Sequence, residues 1–460
     1  MKRAILAAAL LIGSLAVAYG YVVTRREANY SELLARGDAA AAAGDFVAGI
    51  EAFSGAIALK PASMAAHLKR GEAYWRRGEL DSAMRDLRRA TDLDPLAPRL
   101  RELLGDVSYA MGRYSRAAER YREYIALDDS SQRLFYKLGL SQYRAGQPSA
   151  CITALESALE LRNESAEAHY LMGLCLQDAR KPKDAIASLE RSVALAPAML
   201  QARQELADAY GRLGRSDNRI AQLEALLALD PGPARELALG LGHADAGDSE
   251  SAVQVLSRAA RRYPTYRQTY AALGRVWLEI AQATEDPVAL NKALEALQNA
   301  TDTEDNGEAL ALAGRALLLA SDPTAAERTL QRATEKLPVE PTTFFYLAEA
   351  AERLGHLDVA REALLDYDAL VGVSSVRRRG VRLCMKIAEL SMRLDDPAAA
   401  IAWYDRAASA APGDATVLVA LAGAEYRTGN LAAAKATLQK ALSIDPAHAG
   451  ARALQRKLHR

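Results

Sequence analysis

The three cysteines are the residues of this chain best able to support redox or metal chemistry. Cys151, Cys175 and Cys384 are irregularly spaced, so they form neither a zinc-binding motif nor a disulfide framework. Cys151 stands where most equivalent positions of the chain carry alanine, which favours a small buried side chain. A disulfide between Cys151 and Cys175 is the alternative that the sequence leaves open.

The histidines do not form a metal-binding pattern. Zinc binding on a helix requires two histidines on one face, and no such pair occurs. His67 and His169 each lie four residues before a glycine, where a large packing side chain is the simpler interpretation. The six histidines are His67, His169, His243, His356, His448 and His459. The sequence therefore predicts no metal site.

Two short segments only partly match ligand-binding loops. Residues 240–247 contain three glycines, but no strand precedes them, so packing and turn roles are favoured over nucleotide binding. Residues 302–307 resemble the start of a calcium loop, but Ala313 stands where the closing acidic ligand belongs. Neither segment predicts a cofactor.

The composition excludes further classes of function. The chain has 58 basic and 58 acidic residues, interspersed, so no overall field would attract nucleic acid. No serine lies in a nucleophile elbow, and no phosphate-binding loop with Lys and Ser/Thr occurs. We therefore expect a protein that is not an enzyme, with no cofactor, small-molecule substrate or nucleic-acid partner.

The elements that organise the chain are seen best in residues 64–97, which read as two antiparallel helices. Gly78 separates the two helices, and Pro95 ends the second because proline disfavours helix in the residue before it. Small and apolar residues recur at helical spacing at Leu68, Gly71, Tyr74, Ala83, Leu87 and Ala90. Such a pair cannot bury its apolar faces alone, so it must stack on copies of itself.

Copies of this pair follow one another along the chain. The helix-ending position recurs at Pro61, Pro95, Asp129, Asn163, Pro197, Pro231, Pro264, Asp305, Pro338, Gly372, Pro412 and Pro446. The first steps are 34 residues long, which is the period of a helix–turn–helix repeat. In each repeat, a small residue in the first helix allows the two helices to approach closely, and a large apolar residue lies opposite it in the second helix.

The chain resembles the tetratricopeptide repeat family. The family's signature is met best at Gly71, Tyr74, Ala83, Leu87, Ala90 and Pro95. The resemblance implies an all-α fold, a right-handed superhelical solenoid of about twelve repeats over residues 30–446, preceded by an N-terminal apolar helix. We expect residues 24–29 to form a stalk and residues 447–460 a C-terminal capping helix.

Two repeats are longer than the period. The eighth has seven extra residues, and we expect residues 285–289 to extend the turn between its helices. The eleventh has six extra residues, which include residues 377–379, all arginine. Each insertion is either a hinge or partner contact, or a neutral surface insertion.

Residues 1–23 form a signal-anchor or a signal peptide. Residues 4–23 carry no charge and are long enough to cross a bilayer as a helix, and arginines follow them. Residues 16–18 resemble a cleavage site, so removal near Tyr19 is one alternative, and a helix buried in the soluble fold is another. The array is expected to be extracytoplasmic (periplasmic), either anchored in a membrane or secreted.

The resemblance also implies that the first helices of the repeats line a concave groove. Residues at three positions around each close-approach residue are then candidates for binding a partner peptide or helix. These candidates are Trp75, Tyr109, Tyr136, Tyr143, Tyr170, Arg275, Arg315, Phe345, Met385 and Tyr426. The alternative is that they pack between neighbouring helices.

The sequence thus favours a non-enzymatic protein–protein interaction scaffold, tethered to a membrane through residues 4–23. The alternatives are a secreted periplasmic adaptor in exopolysaccharide export or outer-membrane assembly, and a regulatory subunit of an envelope enzyme.

Overall fold

The computed structural model describes the backbone of residues 2–301, 306–371 and 377–458, and their side chains except in residues 2–10 and 377–379. Throughout these ranges the regular elements are helices, and no strand occurs. The predicted all-α class is confirmed. The chain divides into two compact units, Met1–Gln222 and Leu223–Arg460.

The first unit contains α1 to α11 and the start of α12. Its helices are α1 (Lys2–Ala42), α2 (Phe46–Leu59), α3 (Met64–Arg76), α4 (Leu80–Leu93), α5 (Pro98–Ala110), α6 (Tyr114–Ile125), α7 (Gln132–Arg144), α8 (Pro148–Leu161), α9 (Ala166–Asp178), α10 (Pro182–Leu195), α11 (Leu200–Arg212) and α12 (Ser216–Leu229).

The second unit contains the end of α12 and thirteen further helices within the described ranges. They are α13 (Pro233–Asp245), α14 (Ser249–Arg262), α15 (Arg267–Thr284), α16 (Pro287–Thr301), α17 (Gly307–Leu319), α18 (Pro323–Thr334), α19 (Pro341–Leu354), α20 (Leu357–Val371), α21 (Arg377–Arg393), α22 (Pro397–Ala410), α23 (Ala415–Arg427), α24 (Leu431–Ile444) and α25 (Ala449–Leu458).

Odd-numbered and even-numbered helices alternate as the first and second helices of the repeats. Within each unit, consecutive helices pack together, and some odd-numbered neighbours, such as α7 with α9, also touch. The predicted helix ends are confirmed at seven of the eight prolines, whereas α18 ends at Thr334, four residues before Pro338. Helices end two residues before Pro61, Pro95, Pro197, Pro231, Pro264, Pro412 and Pro446. Asp305 and Gly372 lie outside the described residues.

Small residues allow the two helices of a repeat to approach closely. A Cβ atom added to Gly105 on α5 would lie 2.5 Å from the Tyr121 ring on α6. The turn between α3 and α4 places Gly78 at φ +81°, a conformation that a residue with a side chain rarely adopts. The same two uses explain two of the three glycines in residues 240–247. A Cβ atom added to Gly240 would lie 2.5 Å from the Leu256 side chain, and Gly247 has φ +80° in the turn after α13.

The expectation for the eighth repeat is wrong in one respect. Its extra residues lengthen the first helix, α15, which runs for 18 residues to Thr284. Only Glu285 and Asp286 separate it from α16, so Val288 and Ala289 are helical and not part of a longer turn. The extra turn of α15 is held by packing, since Ala281 is 3 % exposed. In the eleventh repeat, residues 377–379 form the first turn of α21.

The cysteine interpretation also needs correction. Cys151 on α8 and Cys175 on α9 are joined by a disulfide bond, with Cα atoms 6.3 Å apart. Both residues are fully buried, as expected of small core side chains. Close packing of neighbouring repeats brings the two backbones within the range that a disulfide requires. The third cysteine, Cys384, is a buried free thiol.

The helix α1 is 41 residues long and passes without a break through residues 24–29, the expected stalk. Arg26 and Glu27 in this segment contact the end of α2, at the Leu59 carbonyl and the Lys60 ammonium. Side chains of residues 11–23 are exposed, so burial of this segment in the fold is not observed. In the portion of the chain whose placement is described, none of the helices combines enough length with enough apolar character to cross a membrane.

Candidate partner-binding surface

All ten candidate binding residues lie on odd-numbered helices, the first helices of the repeats. Five are in the first unit: Trp75 on α3, Tyr109 on α5, Tyr136 and Tyr143 on α7, and Tyr170 on α9. Five are in the second: Arg275 on α15, Arg315 on α17, Phe345 on α19, Met385 on α21 and Tyr426 on α23. Phe345 is exposed, and the other nine are half-buried. Each therefore packs partly on the fold and keeps part of its surface open.

Three of the candidates come together in the first unit. Tyr136 and Tyr143 pack against the apolar cluster around the Cys151–Cys175 disulfide, and Tyr170 packs against the next cluster. Burial raises the pKa of Tyr170, and Glu205 and the phenols of Tyr143 and Tyr136 raise it further. The structure thus groups residues that are 34 positions apart in sequence. We call Tyr136, Tyr143 and Tyr170 the tyrosine surface.

Carboxylates surround the tyrosine surface. Burial raises the pKa of Tyr136, with a further contribution from Glu167 on α9. The pKa of Tyr143 is raised by burial, then by Asp178 on α9 and Glu205 on α11, with Arg144 acting in the opposite direction. All three hydroxyls therefore stay protonated at neutral pH and can donate hydrogen bonds.

These carboxylates lack cationic partners among the described side chains. Glu167 accepts a hydrogen bond from the Ser165 hydroxyl at 3.2 Å. Asp178 and Glu205 make no ion pair within the ranges that the structure covers. The tyrosine surface is consequently rich in aromatic groups and net negative, on helices α7, α9 and α11.

The other candidates in the first unit contribute less to this surface. The ring of Tyr109 packs edge-on against Tyr114, with centroids 5.2 Å apart. Trp75 packs on the neighbouring apolar cluster, and the Arg76 guanidinium lies 5.3 Å from the centre of its ring. Both residues therefore also pack against side chains of their own or an adjacent repeat.

The second unit has a different feature, an apolar cavity of 480 Å³ between α19, α20 and α21. Phe345 and Tyr367 line it, with ring centroids 6.1 Å apart, and Arg382 and Lys386 also line it. Nearby, the Arg315 guanidinium lies 5.5 Å from the centre of the Tyr346 ring. Met385 packs on the clusters beside Trp403 and does not line the cavity.

Sequence reasoning missed the carboxylates of the tyrosine surface. One signal was available, because Glu167 lies three residues before Tyr170 and thus on the same face of a helix. Asp178 and Glu205 gave no such signal, since they meet the tyrosines across helix boundaries.

No group of three or more His, Cys, Asp or Glu side chains in the described residues is placed to hold a metal ion. His67 is buried, with Nδ1 3.1 Å from Asp86 Oδ1 and Nε2 3.1 Å from the Pro61 carbonyl oxygen. Residues 302–305 of the partial calcium motif and His459 lie outside the described residues. Asn306 accepts from the Glu308 amide at 2.9 Å and so caps α17.

Comparison with family profiles gives matches along most of the chain. One tetratricopeptide repeat profile matches residues 34–98, 74–132, 170–234 and 311–371, and a second matches residues 391–458. A profile for subunit 3 of the anaphase-promoting complex, or cyclosome, matches residues 116–192. A comparison with curated proteins gives no significant match.

Several solved structures match parts of the chain at low identity, with TM-scores below 0.5. A crystal structure of the MamA protein is 22 % identical, covers 36 % of this chain and 91 % of its own, and has a TM-score of 0.35. YrrB, described as a repeat protein with an unusual peptide-binding site, is 21 % identical, with coverages of 42 % and 98 % and a TM-score of 0.37. A tetratricopeptide repeat protein from Parabacteroides merdae is 17 % identical, with coverages of 54 % and 98 % and a TM-score of 0.40.

Proposed function

The chain is a tetratricopeptide repeat protein, and from this premise we propose that it is a non-enzymatic scaffold that binds a segment of another protein on its odd-numbered helices. The observation that carries the proposal is the tyrosine surface with its unpaired carboxylates on α7, α9 and α11. We infer that the bound segment contains lysine or arginine.

Half-buried tyrosines suit this role because they are held rigidly by packing. Each offers an apolar face at little cost in side-chain entropy, and its protonated hydroxyl offers a hydrogen bond. An aromatic face also attracts a cation placed above it. Asp178 and Glu205 supply the negative charge that a lysine or arginine of the partner would neutralise.

The extent of the surface favours a peptide segment. Neighbouring packed helices are roughly 8–10 Å apart, so three odd-numbered helices span roughly 20 Å. An extended peptide covers that distance with about six residues. A protein segment is therefore favoured over a small molecule.

A library of acetylated hexapeptides tests the proposal with the full-length protein. We expect selected peptides to be enriched in arginine and lysine and to bind the Asp178→Asn/Glu205→Gln variant at least about tenfold more weakly, because two charge-assisted contacts are lost. The control variant Glu156→Gln/Glu160→Gln removes the same charge from exposed positions of α8. Selection without a cationic preference, or equal weakening in both variants, would contradict the proposal.

We further propose that residues 4–23 attach the protein to a membrane and that the array lies in an oxidising compartment such as the periplasm. Support comes from the exposed apolar side chains of residues 11–23 and from the Cys151–Cys175 disulfide, since disulfides persist in oxidising compartments. N-terminal sequencing of the mature protein tests the anchor. An intact N-terminus in the membrane fraction supports it, and a start near Tyr19 would instead indicate the secreted adaptor.

A further inference from the structure

A pocket of 230 Å³ in the first unit is lined by four arginines. Arg88 comes from α4, Arg113 directly precedes α6, and Arg116 and Arg120 lie on successive turns of α6. One carboxylate, Glu119, also lines the pocket, so its walls carry three more positive than negative groups. The buried residue Ser108 on α5 also lines the pocket.

Most of this charge is not neutralised within the fold. Arg120 pairs with Glu123, with Nη1 2.8 Å from a carboxylate oxygen. In the described part of the chain, the guanidinium groups of Arg88, Arg113 and Arg116 make no hydrogen bond or ion pair. Like charges that converge on one concavity repel each other, and an anion bound among them would remove that repulsion.

We propose that this pocket binds a phosphate group. Guanidinium groups match the geometry of phosphate oxygens and bind them by paired hydrogen bonds, and a phosphate dianion can accept from several at once. The small volume suits a single phosphate or diphosphate group and not a folded partner. A nucleic acid is disfavoured because the excess charge is confined to one pocket in a chain whose formal net charge is zero.

The phosphate could belong to a soluble molecule or to the headgroup of an anionic lipid. Titration calorimetry of the full-length protein with inorganic phosphate and pyrophosphate tests the first source. Co-sedimentation with vesicles of phosphatidic acid in phosphatidylcholine, against phosphatidylcholine alone, tests the second. Saturable binding in one of these arms supports the pocket and identifies the source, and binding in neither overturns the proposal.

A pair of matched variants assigns the binding to the pocket. Arg88→Gln/Arg116→Gln is expected to weaken pyrophosphate or vesicle binding at least about tenfold, because two charge-assisted contacts are lost. Arg89→Gln/Arg122→Gln removes the same charge from exposed positions of the same two helices that do not line the pocket, and is expected to change affinity less than twofold. Equal weakening in both pairs would overturn the proposal.

The phosphate-binding experiment and the peptide-binding experiment test different surfaces of the protein. The arginine pocket is lined by residues of α4, α5, α6 and the turn before α6, whereas the carboxylates of the tyrosine surface lie on α9 and α11. We expect Asp178→Asn/Glu205→Gln to bind phosphate like the wild-type protein, so either proposal can fail alone.

Discussion

At the scale of single residues, two histidines at equivalent repeat positions have different surroundings. His67 contacts Asp86, whose carboxylate also accepts from Arg70 Nε at 2.7 Å. His169 has Ser188 at the position equivalent to Asp86, and it contacts Asn163 instead. Burial accordingly lowers the pKa of His169 below its ordinary value of 6.5.

This difference predicts a pH dependence of stability. Because the pKa of His169 is lower in the folded state, the unfolded state takes up a proton at this residue more readily, so the stability that His169 contributes is lost as the pH falls below about 6.5. The urea midpoint of the wild-type protein should fall more between pH 7.5 and pH 5.5 than that of His169→Gln. The two proteins share all other titrating groups. If their urea midpoints fall by the same amount between pH 7.5 and pH 5.5, the protonation of His169 does not contribute to the pH dependence of stability.

At the scale of helices, the repeats depend on small residues where two helices meet. The Tyr121 hydroxyl donates to Asp106 at 2.6 Å, which holds the ring over Gly105 and leaves no room for a methyl group. By contrast, Gly423 on α23 has no other group within 4 Å of the place where a Cβ would lie. The two helical glycines thus differ only in what they face.

Substitution by alanine should therefore have opposite effects at the two positions. Gly105→Ala is expected to lower the free energy of unfolding by about 1–3 kcal/mol through overpacking. Gly423→Ala is expected to raise it by up to about 1 kcal/mol, because alanine favours helix over glycine. Chemical denaturation measures both changes, and a Gly105→Ala protein as stable as wild type would show that Tyr121 can move aside at little cost.

Much of the pairing and packing of helices could be predicted from the sequence. Pairing of helices, proline stops and close contacts such as Gly105 with Tyr121 follow from patterns within about 34 residues. The added length of the eighth repeat could not be placed in this way. Residues that are compatible with either helix or turn became part of α15 because Ala281 and Leu278 pack in the core there.

At the scale of the whole molecule, stability in a repeat array is approximately a sum of terms between neighbours. The Cys151–Cys175 disulfide links α8 to α9 in the first unit, across 24 residues of chain. A crosslink of this length is expected to stabilise the folded state by about 3 kcal/mol. Because energetic coupling acts between neighbouring repeats, the stabilisation by the disulfide should be confined to the repeats next to it.

Reduction should therefore increase amide hydrogen exchange in α7 to α10 and leave exchange in α22 to α24 unchanged. Mass spectrometry after alkylation in denaturant provides the control: one cysteine, Cys384, should be labelled without reductant and all three with it. Labelling of three cysteines without reductant would contradict the disulfide. A uniform rise in exchange along the chain would contradict local coupling.

The sequence by itself determined the repeat fold and the helices that carry the candidate residues, because periodic small residues, apolar residues and helix breakers act over short distances. Only the tertiary structure decided which side chains from different repeats meet. The disulfide, the carboxylates beside the tyrosine surface and the four-arginine pocket all depend on the register between packed helices. That register is set by side-chain packing across repeats, and spacing along the chain does not encode it directly.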